Sequence, residues 1–445
     1  MRTGTFARAT ALSGAALLAL TACGGSDDDG GSTGGGGDAS GGTTVNVYGT
    51  DGNMGNALGE SFDQDGALAG MKGTTPLTEL AGDFTDRLLE VDPELQDFNY
   101  AGESYDAVVL TALAAQMAGS NEASAFAPYI NGITFGGEKC TDFASCLEII
   151  NAGGNPDYDG ITGPLAFADA GEPARASFGI LSFEDDNTID PANNEYVLAG
   201  DEANAASGEG PAPVAPNATG EQLVIGTLLP ETGDLAFLGP PEFAGVELAV
   251  NEVNEAGGVL GQEVRLVNGD SGDASTNIAT QTVDTLLQAG VNAIIGAASS
   301  TVSLTVIDQI VGAGVVMFSP ANTSDQFTEY ADNGLYFRTA PPDTLQAQAL
   351  ADLISADGNN SIGILARNDS YGTGLADNTV QYLVDAGFSE DSIRSVTYDP
   401  TAANYDAEVQ QMVDFDPDGI VVIGFDESAR IIQGLSAQGI GPDRG

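Results

Sequence analysis

The chain of 445 residues carries 12 Lys and Arg against 65 Asp and Glu, a formal net charge of −53; this argues against nucleic acid as a partner, because phosphate binding needs a basic face. It contains no His, which excludes imidazole-based general-base catalysis and His-ligated zinc. The length exceeds one ordinary domain and suits two. The acidity is spread along the whole chain, which fits solubility in a salty setting better than a single cation site.

Arg2 and Arg8 precede an apolar run over residues 9–20 that is too short to span a bilayer stably. The run ends Leu20-Thr21-Ala22-Cys23-Gly24 and is followed by a Gly/Ser/Asp tract over 24–44, a composition of flexible tethers. This pattern resembles the lipobox of bacterial lipoproteins. The resemblance implies a signal peptide over 1–22, cleavage before Cys23, diacylglycerol on its sulfur and a disordered tether over 23–44. An ordinary secretory signal with an incidental cysteine is the alternative. Cys140 and Cys146 share one short segment, C-T-D-F-A-S-C. In an exported protein they read as a local disulfide, with two free thiols as the alternative and no metal site expected.

Two folded blocks follow, 45–200 and 222–445, separated by a Pro-, Ala- and Gly-rich linker over 201–221. The first block opens on a strand, V-N-V-Y, at 45–48. The second opens on a buried strand at 223–229. Pro240 and Pro241 then start a helix that presents Phe243, Val246, Val250 and Val253 at spacings of three and four, and Gly257 and Gly258 stop it. A strand is predicted at 264–267. A helix carries Ile278, Val283, Leu286 and Leu287 and ends at Gly290. Strands at 293–295 and 315–318 lead to a crossing segment at 339–342. Beyond it come strands at 361–366, 392–398 and 419–423, with helices after Tyr371, Asn404 and Asp426. This alternation predicts an α/β fold with parallel sheets covered by helices, in two doubly wound lobes. The second block stops after one more helix, where the pattern requires a strand, and the first block begins with one.

Residues 222–445 carry I-G-T-L-L-P-E-T-G, E-V-N-E-A-G-G-V-L-G, I-I-G-A-A-S-S, S-P-A-N-T and N-D-S-Y-G-T-G, and residues 45–200 carry Y-G-T-D-G and S-Y-D-A-V-V-L-T-A-L-A. In joint spacing these resemble the leucine/isoleucine/valine-binding family of type I periplasmic binding proteins, with that family's C-terminal part placed first. The resemblance implies two Rossmann-like lobes joined by a hinge, in circularly permuted order. The first lobe core would be 222–340 and the second 341–445, with 45–200 contributing to both. Permutation is tolerated when the usual ends are exposed and close, or bridged by a loose segment, and a coil as long as this linker spans on the order of 25 Å.

The resemblance also implies a ligand site. Ser300 follows a strand and opens a helix, where unpaired N–H groups and a hydroxyl suit a carboxylate; local sequence alone favours a helix cap instead. Ala321 and Thr323 follow another strand, in the right place for ligand contact, with a Ser-Pro turn as the alternative. Tyr371 would close on the ligand from the second lobe, or be a structural tyrosine at a helix start. Asp51 would pair the ligand's ammonium, or be a turn aspartate before Gly52. Leu238, Phe425 and Tyr105 are placed as pocket walls, with core packing as the competing role.

The function implied is that of an extracytoplasmic solute-binding protein, held at the outer face of the cell membrane by lipid on Cys23. It would capture a branched-chain type of amino acid and deliver it to the permease subunits of an ABC transporter, as a monomer without cofactor or metal. A ligand-sensing receptor lipoprotein of the same fold, or a binder of amides or urea-like solutes, are the alternatives. An enzyme is disfavoured: no nucleophile elbow or P-loop occurs, and the only lysines, Lys72 and Lys139, lie in no motif.

Overall fold

A computed structural model describes residues 45–206 and 210–442. The expected signal peptide, Cys23 and the tether over 23–44 lie outside the described residues, as does part of the linker, 207–209.

Two main sheets organise the chain. One has seven strands in the spatial order Ile393–Tyr398, Ile362–Arg367, Gly419–Ile423, Asn46–Thr50, Lys72–Pro76, Arg175–Ser182 and Glu195–Gly200. Its first five strands run parallel, and the last two pair antiparallel at one edge. The other sheet has five parallel strands in the order Tyr336–Arg338, Val316–Ser319, Ala293–Gly296, Val224–Leu228 and Arg265–Val267. With their covering helices these form two doubly wound α/β lobes. Their central strands are continuous buried runs such as G-I-V-V-I and A-I-I-G, as expected of parallel sheets covered on both faces. A small sheet of Glu138–Cys140, Pro156–Gly160 and Gly163–Pro164 sits apart from both, beside the Cys140–Cys146 disulfide.

Both blocks of sequence build both lobes. The strand Asn46–Thr50 lies between Gly419–Ile423 and Lys72–Pro76, in parallel register with each. The first block also sends the helix Ala101–Ala118 against the five-stranded lobe, where it packs on the helix Gly239–Glu255. Gly245 makes that approach possible, because a Cβ there would lie 2.2 Å from the Ala101 carbonyl oxygen. The chain passes between lobes after Pro76, before Arg175, between Gly200 and Val224, and after Arg338. The linker follows the surface of the five-stranded lobe, with Val214 N–H bonded to the Met117 carbonyl and Gly220 N–H to that of Leu260.

Two carboxyl groups are buried in the first turns of those packed helices. Neither oxygen of Glu242 has a partner; burial, then the neighbouring Glu103, pushes its pKa well above the carboxylate range. Burial likewise pushes Glu103 from 4.5 up to about 8. Such a group holds more protons folded than unfolded between those two values. Its stabilising contribution is complete below about 4.5 and is lost as pH rises through about 8. A shift of this size corresponds to at most roughly 5 kcal/mol. Calorimetry should therefore show the melting temperature falling from about pH 5 to about pH 8.5, with a shallower fall in the variant Glu103→Gln/Glu242→Gln. An identical slope in that variant would deny the pair this role.

Candidate ligand-binding site

The carboxyl ends of the parallel strands of both sheets converge on one cleft, the place where open α/β sheets bind ligands. Asp51 follows Asn46–Thr50, Phe425 follows Gly419–Ile423, and Tyr371 follows Ile362–Arg367. From the other lobe, Ser300 follows Ala293–Gly296, Ala321 and Thr323 follow Val316–Ser319, and Leu235 and Leu238 follow Val224–Leu228. All of these line a single narrow cavity with Gly52, Tyr100, Ala298 and Ser299.

Asp51 is the polar centre of one wall. Its carboxylate accepts hydrogen bonds from the hydroxyl of Tyr371 at 2.7 Å, that of Tyr100 at 2.9 Å and the side-chain amide of Gln346 at 2.9 Å. The Tyr371 hydroxyl also lies 2.7 Å from that of Thr50. Burial raises the Asp51 pKa, and the three hydrogen bonds oppose the rise. No ion pair among the described residues includes Asp51. It is thus a buried carboxylate held by neutral donors, suited to a cationic group in the cavity. Gly52 must be glycine: a Cβ would meet the Gly424 carbonyl and the Phe425 ring at 2.6 Å.

The opposite wall is built on the start of the helix Ser300–Gly312. Its cap is Ser299, whose hydroxyl accepts from Val302 N–H. Ser300 is therefore not the cap; its hydroxyl accepts from Ser324 N–H at 3.3 Å. Thr323 is buried beside it, and its carbonyl accepts from Asp343 N–H at 2.7 Å. The loop over 319–324 is braced from behind. Fully buried Arg338 donates to the carbonyls of Asn322 at 3.2 Å and Ser324 at 2.8 Å, and pairs with Glu172 from the other block of sequence. An amphiphilic cavity results, with a carboxylate at one wall, hydroxyls and a helix start at the other, and Leu235, Leu238, Ala298 and Phe425 between them.

Tyr105 is a correction. It sits five residues along from Tyr100, on a different face of the helix Ala101–Ala118, packs edge-on against Phe84, and bonds Glu252 at 2.5 Å. It belongs to the core of the five-stranded lobe and does not line the cavity. Tyr100 is the tyrosine that does, set by a left-handed backbone (φ 61°) just before the helix. Gln346 also escaped the sequence reading, because its partner Asp51 is remote in the chain. A larger surface groove runs past Leu77, Phe98 and Tyr196. The cleft cavity is the better candidate, because it lies at the carboxyl ends of parallel strands of both sheets.

The family model described as periplasmic binding protein matches residues 222–444. Among curated proteins, the chain is 28% identical to Leu/Ile/Val-binding protein homolog 3 of Brucella melitensis, over 39% of this chain and 47% of that one. It is 33% identical to homolog 2 of Brucella abortus, over 38% of this chain and 45% of that one. The chain thus spans less than half the length of these relatives. Among solved structures, a leucine-binding protein of Thermotoga maritima matches 49% of this chain and 61% of its own, at 25% identity and a TM-score of 0.43. By the family match over half its length, this chain belongs to the periplasmic binding protein family.

Proposed function

We propose that the protein is an extracytoplasmic solute-binding lipoprotein that clamps a small α-amino acid of the branched-chain type between its lobes and hands it to the permease subunits of an ABC transporter. The observation that carries this reading is the cavity itself: a buried, cation-free Asp51 faces a helix start bearing the Ser300 hydroxyl, with apolar side chains between. An α-amino acid has the matching pattern of ammonium, carboxylate and apolar side chain. Asp51 and Tyr371 take the ammonium side. Ser300, Thr323 and the backbone at Ala321 take the carboxylate. Leu238 and Phe425 form the wall. The names of the relatives, Leu/Ile/Val-binding protein homologues, support the ligand class. Closure follows from contacts made only when both lobes meet the ligand, which give the differential affinity that shifts a hinge equilibrium.

The permuted order belongs to the same proposal. It is supported by the parallel pairing of the chain's first described strand with its last and by the linker between the two blocks. Lipid on Cys23 would hold the protein at the outer face of the membrane.

The test is a thermal-shift and calorimetric screen of the full chain against L-leucine, L-isoleucine, L-valine, acetamide, urea and putrescine. An apolar amino acid should raise the unfolding free energy by ~3–4 kcal/mol in large excess, and the others should not. A shift with urea or acetamide alone, or with none of the amino acids, would contradict the reading.

A further inference from the structure

Carboxylates flank residues that line the cavity. Asp234, in the segment after Val224–Leu228, and Asp426 and Glu427, after Gly419–Ile423, bring carboxylate oxygens within 4.8 Å of one another. The first belongs to the five-stranded lobe and the other two to the seven-stranded lobe. Carboxylates at this range repel. Partial burial and the Asp426 charge hold the Asp234 carboxyl above its usual range.

One guanidinium pairs with two of these three carboxylates. Arg367, at the end of the strand Ile362–Arg367, is 4% exposed. In its own lobe it pairs with Asp369 at 2.6 Å and Glu427 at 3.1 Å, and across the cleft it pairs with Asp234 at 3.7 Å. The same group lies over the Phe425 ring at 3.5 Å. Phe425 in turn stacks on Tyr371, with centroids 5.4 Å apart and planes within 18°. Tyr371 ends this series on Asp51. A single side chain therefore supports the aromatic wall of the cavity and offsets part of the negative charge where the lobes meet.

We infer that Arg367 is a positioning residue for ligand binding: it couples closure of the lobes to assembly of the Phe425–Tyr371–Asp51 wall, by compensating the carboxylates that closure brings together. The inference rests on reading the cavity as the ligand site of a two-lobed clamp. Without the guanidinium, closing drives Asp234 onto Asp426 and Glu427, and the wall loses its backing. The repulsive part is screened by salt, since the seam is partly exposed; the packing part is not.

The test uses the full chain with spin labels at two exposed helical positions, one per lobe (Gln288→Cys and Gln381→Cys), and L-leucine as the probe. Arg367→Lys keeps the charge, so it should fold even where Arg367→Met does not. Arg367→Met removes the cation from the seam and leaves the three carboxylates facing one another. It should lengthen the mean distance between labels and weaken L-leucine binding about tenfold at low salt, with a smaller loss in about 1 M KCl. Arg367→Met should weaken binding more than Asp234→Asn does, and Asp234→Asn placed in the Arg367→Met background should recover about threefold or more by removing the repulsion. Arg367→Lys should restore the salt-dependent part of the loss and leave the rest. Wild-type affinity in Arg367→Met, or in Arg367→Lys where the methionine variant does not fold, would overturn the inference, as would an equal effect of Asp234→Asn in both backgrounds. If the parent protein ignores L-leucine, the ligand reading fails by itself. The label distances of the ligand-free variants then still decide the coupling: a longer mean distance in Arg367→Met supports it, and an unchanged one ends it.

Discussion

Asp51→Asn should weaken binding of L-leucine by about 30-fold or more while leaving the melting temperature unchanged or slightly raised. Removing one partner of a buried charge pair typically costs about 2–5 kcal/mol of binding, which is roughly 30- to several thousand-fold in affinity. Stability should move differently. Burial already disfavours the charged form of Asp51, and asparagine removes that desolvation cost. It keeps an acceptor oxygen for the Tyr371, Tyr100 and Gln346 donors, although one of those bonds is lost because its amide nitrogen accepts nothing. Calorimetric titration gives the affinity and a thermal melt gives the stability. An affinity near that of the parent protein would remove Asp51 from the site, and a collapse of the melt would show it to be a structural residue instead.

Arg338→Met should be among the most destabilising single substitutions outside the cavity, at about 3–5 kcal/mol, because it leaves Glu172 buried without its cation. It should weaken L-leucine binding as well. The guanidinium holds the carbonyls of Asn322 and Ser324 on either side of Thr323, and Ser324 N–H donates to the Ser300 hydroxyl. The variant Arg338→Met/Glu172→Met should recover much of the stability, since a well-packed apolar replacement of a buried pair is often neutral. It should recover little of the binding, since the loop carbonyls stay unbraced. Denaturant unfolding and titration of the two variants separate these effects. Equal recovery of both quantities would mean that Arg338 acts through stability alone.

The second block was legible in the sequence because its strands are short buried apolar runs between turn signals. The strand predicted at 419–423 is Gly419–Ile423, and the one at 361–366 is Ile362–Arg367. The strand Tyr336–Arg338 was missed, since three residues ending in an arginine do not read as a strand until Glu172 and the loop carbonyls supply partners for that charge. The helix Ala101–Ala118 is buried around nearly its whole circumference, so no amphipathic stripe marks it. At the site, the residues just past strand ends could be located by spacing and resemblance. Their partners could not: the Gln346–Asp51 bond joins positions 295 apart in sequence and the Tyr371–Asp51 bond positions 320 apart. Tyr105 lies in S-Y-D-A-V-V-L-T-A-L-A, a motif that carries the resemblance, whereas the placement of Tyr100 depends on a left-handed turn that local sequence does not announce.

The most direct measurement is a crystal structure of the full chain grown with saturating L-leucine. The account predicts ligand density in the cleft between the two sheets, with the ammonium within hydrogen-bond distance of the Asp51 carboxylate and the ligand carboxylate at Ser300 and Thr323. Density in the groove beside Tyr196 instead, or an ammonium that avoids Asp51, would contradict it.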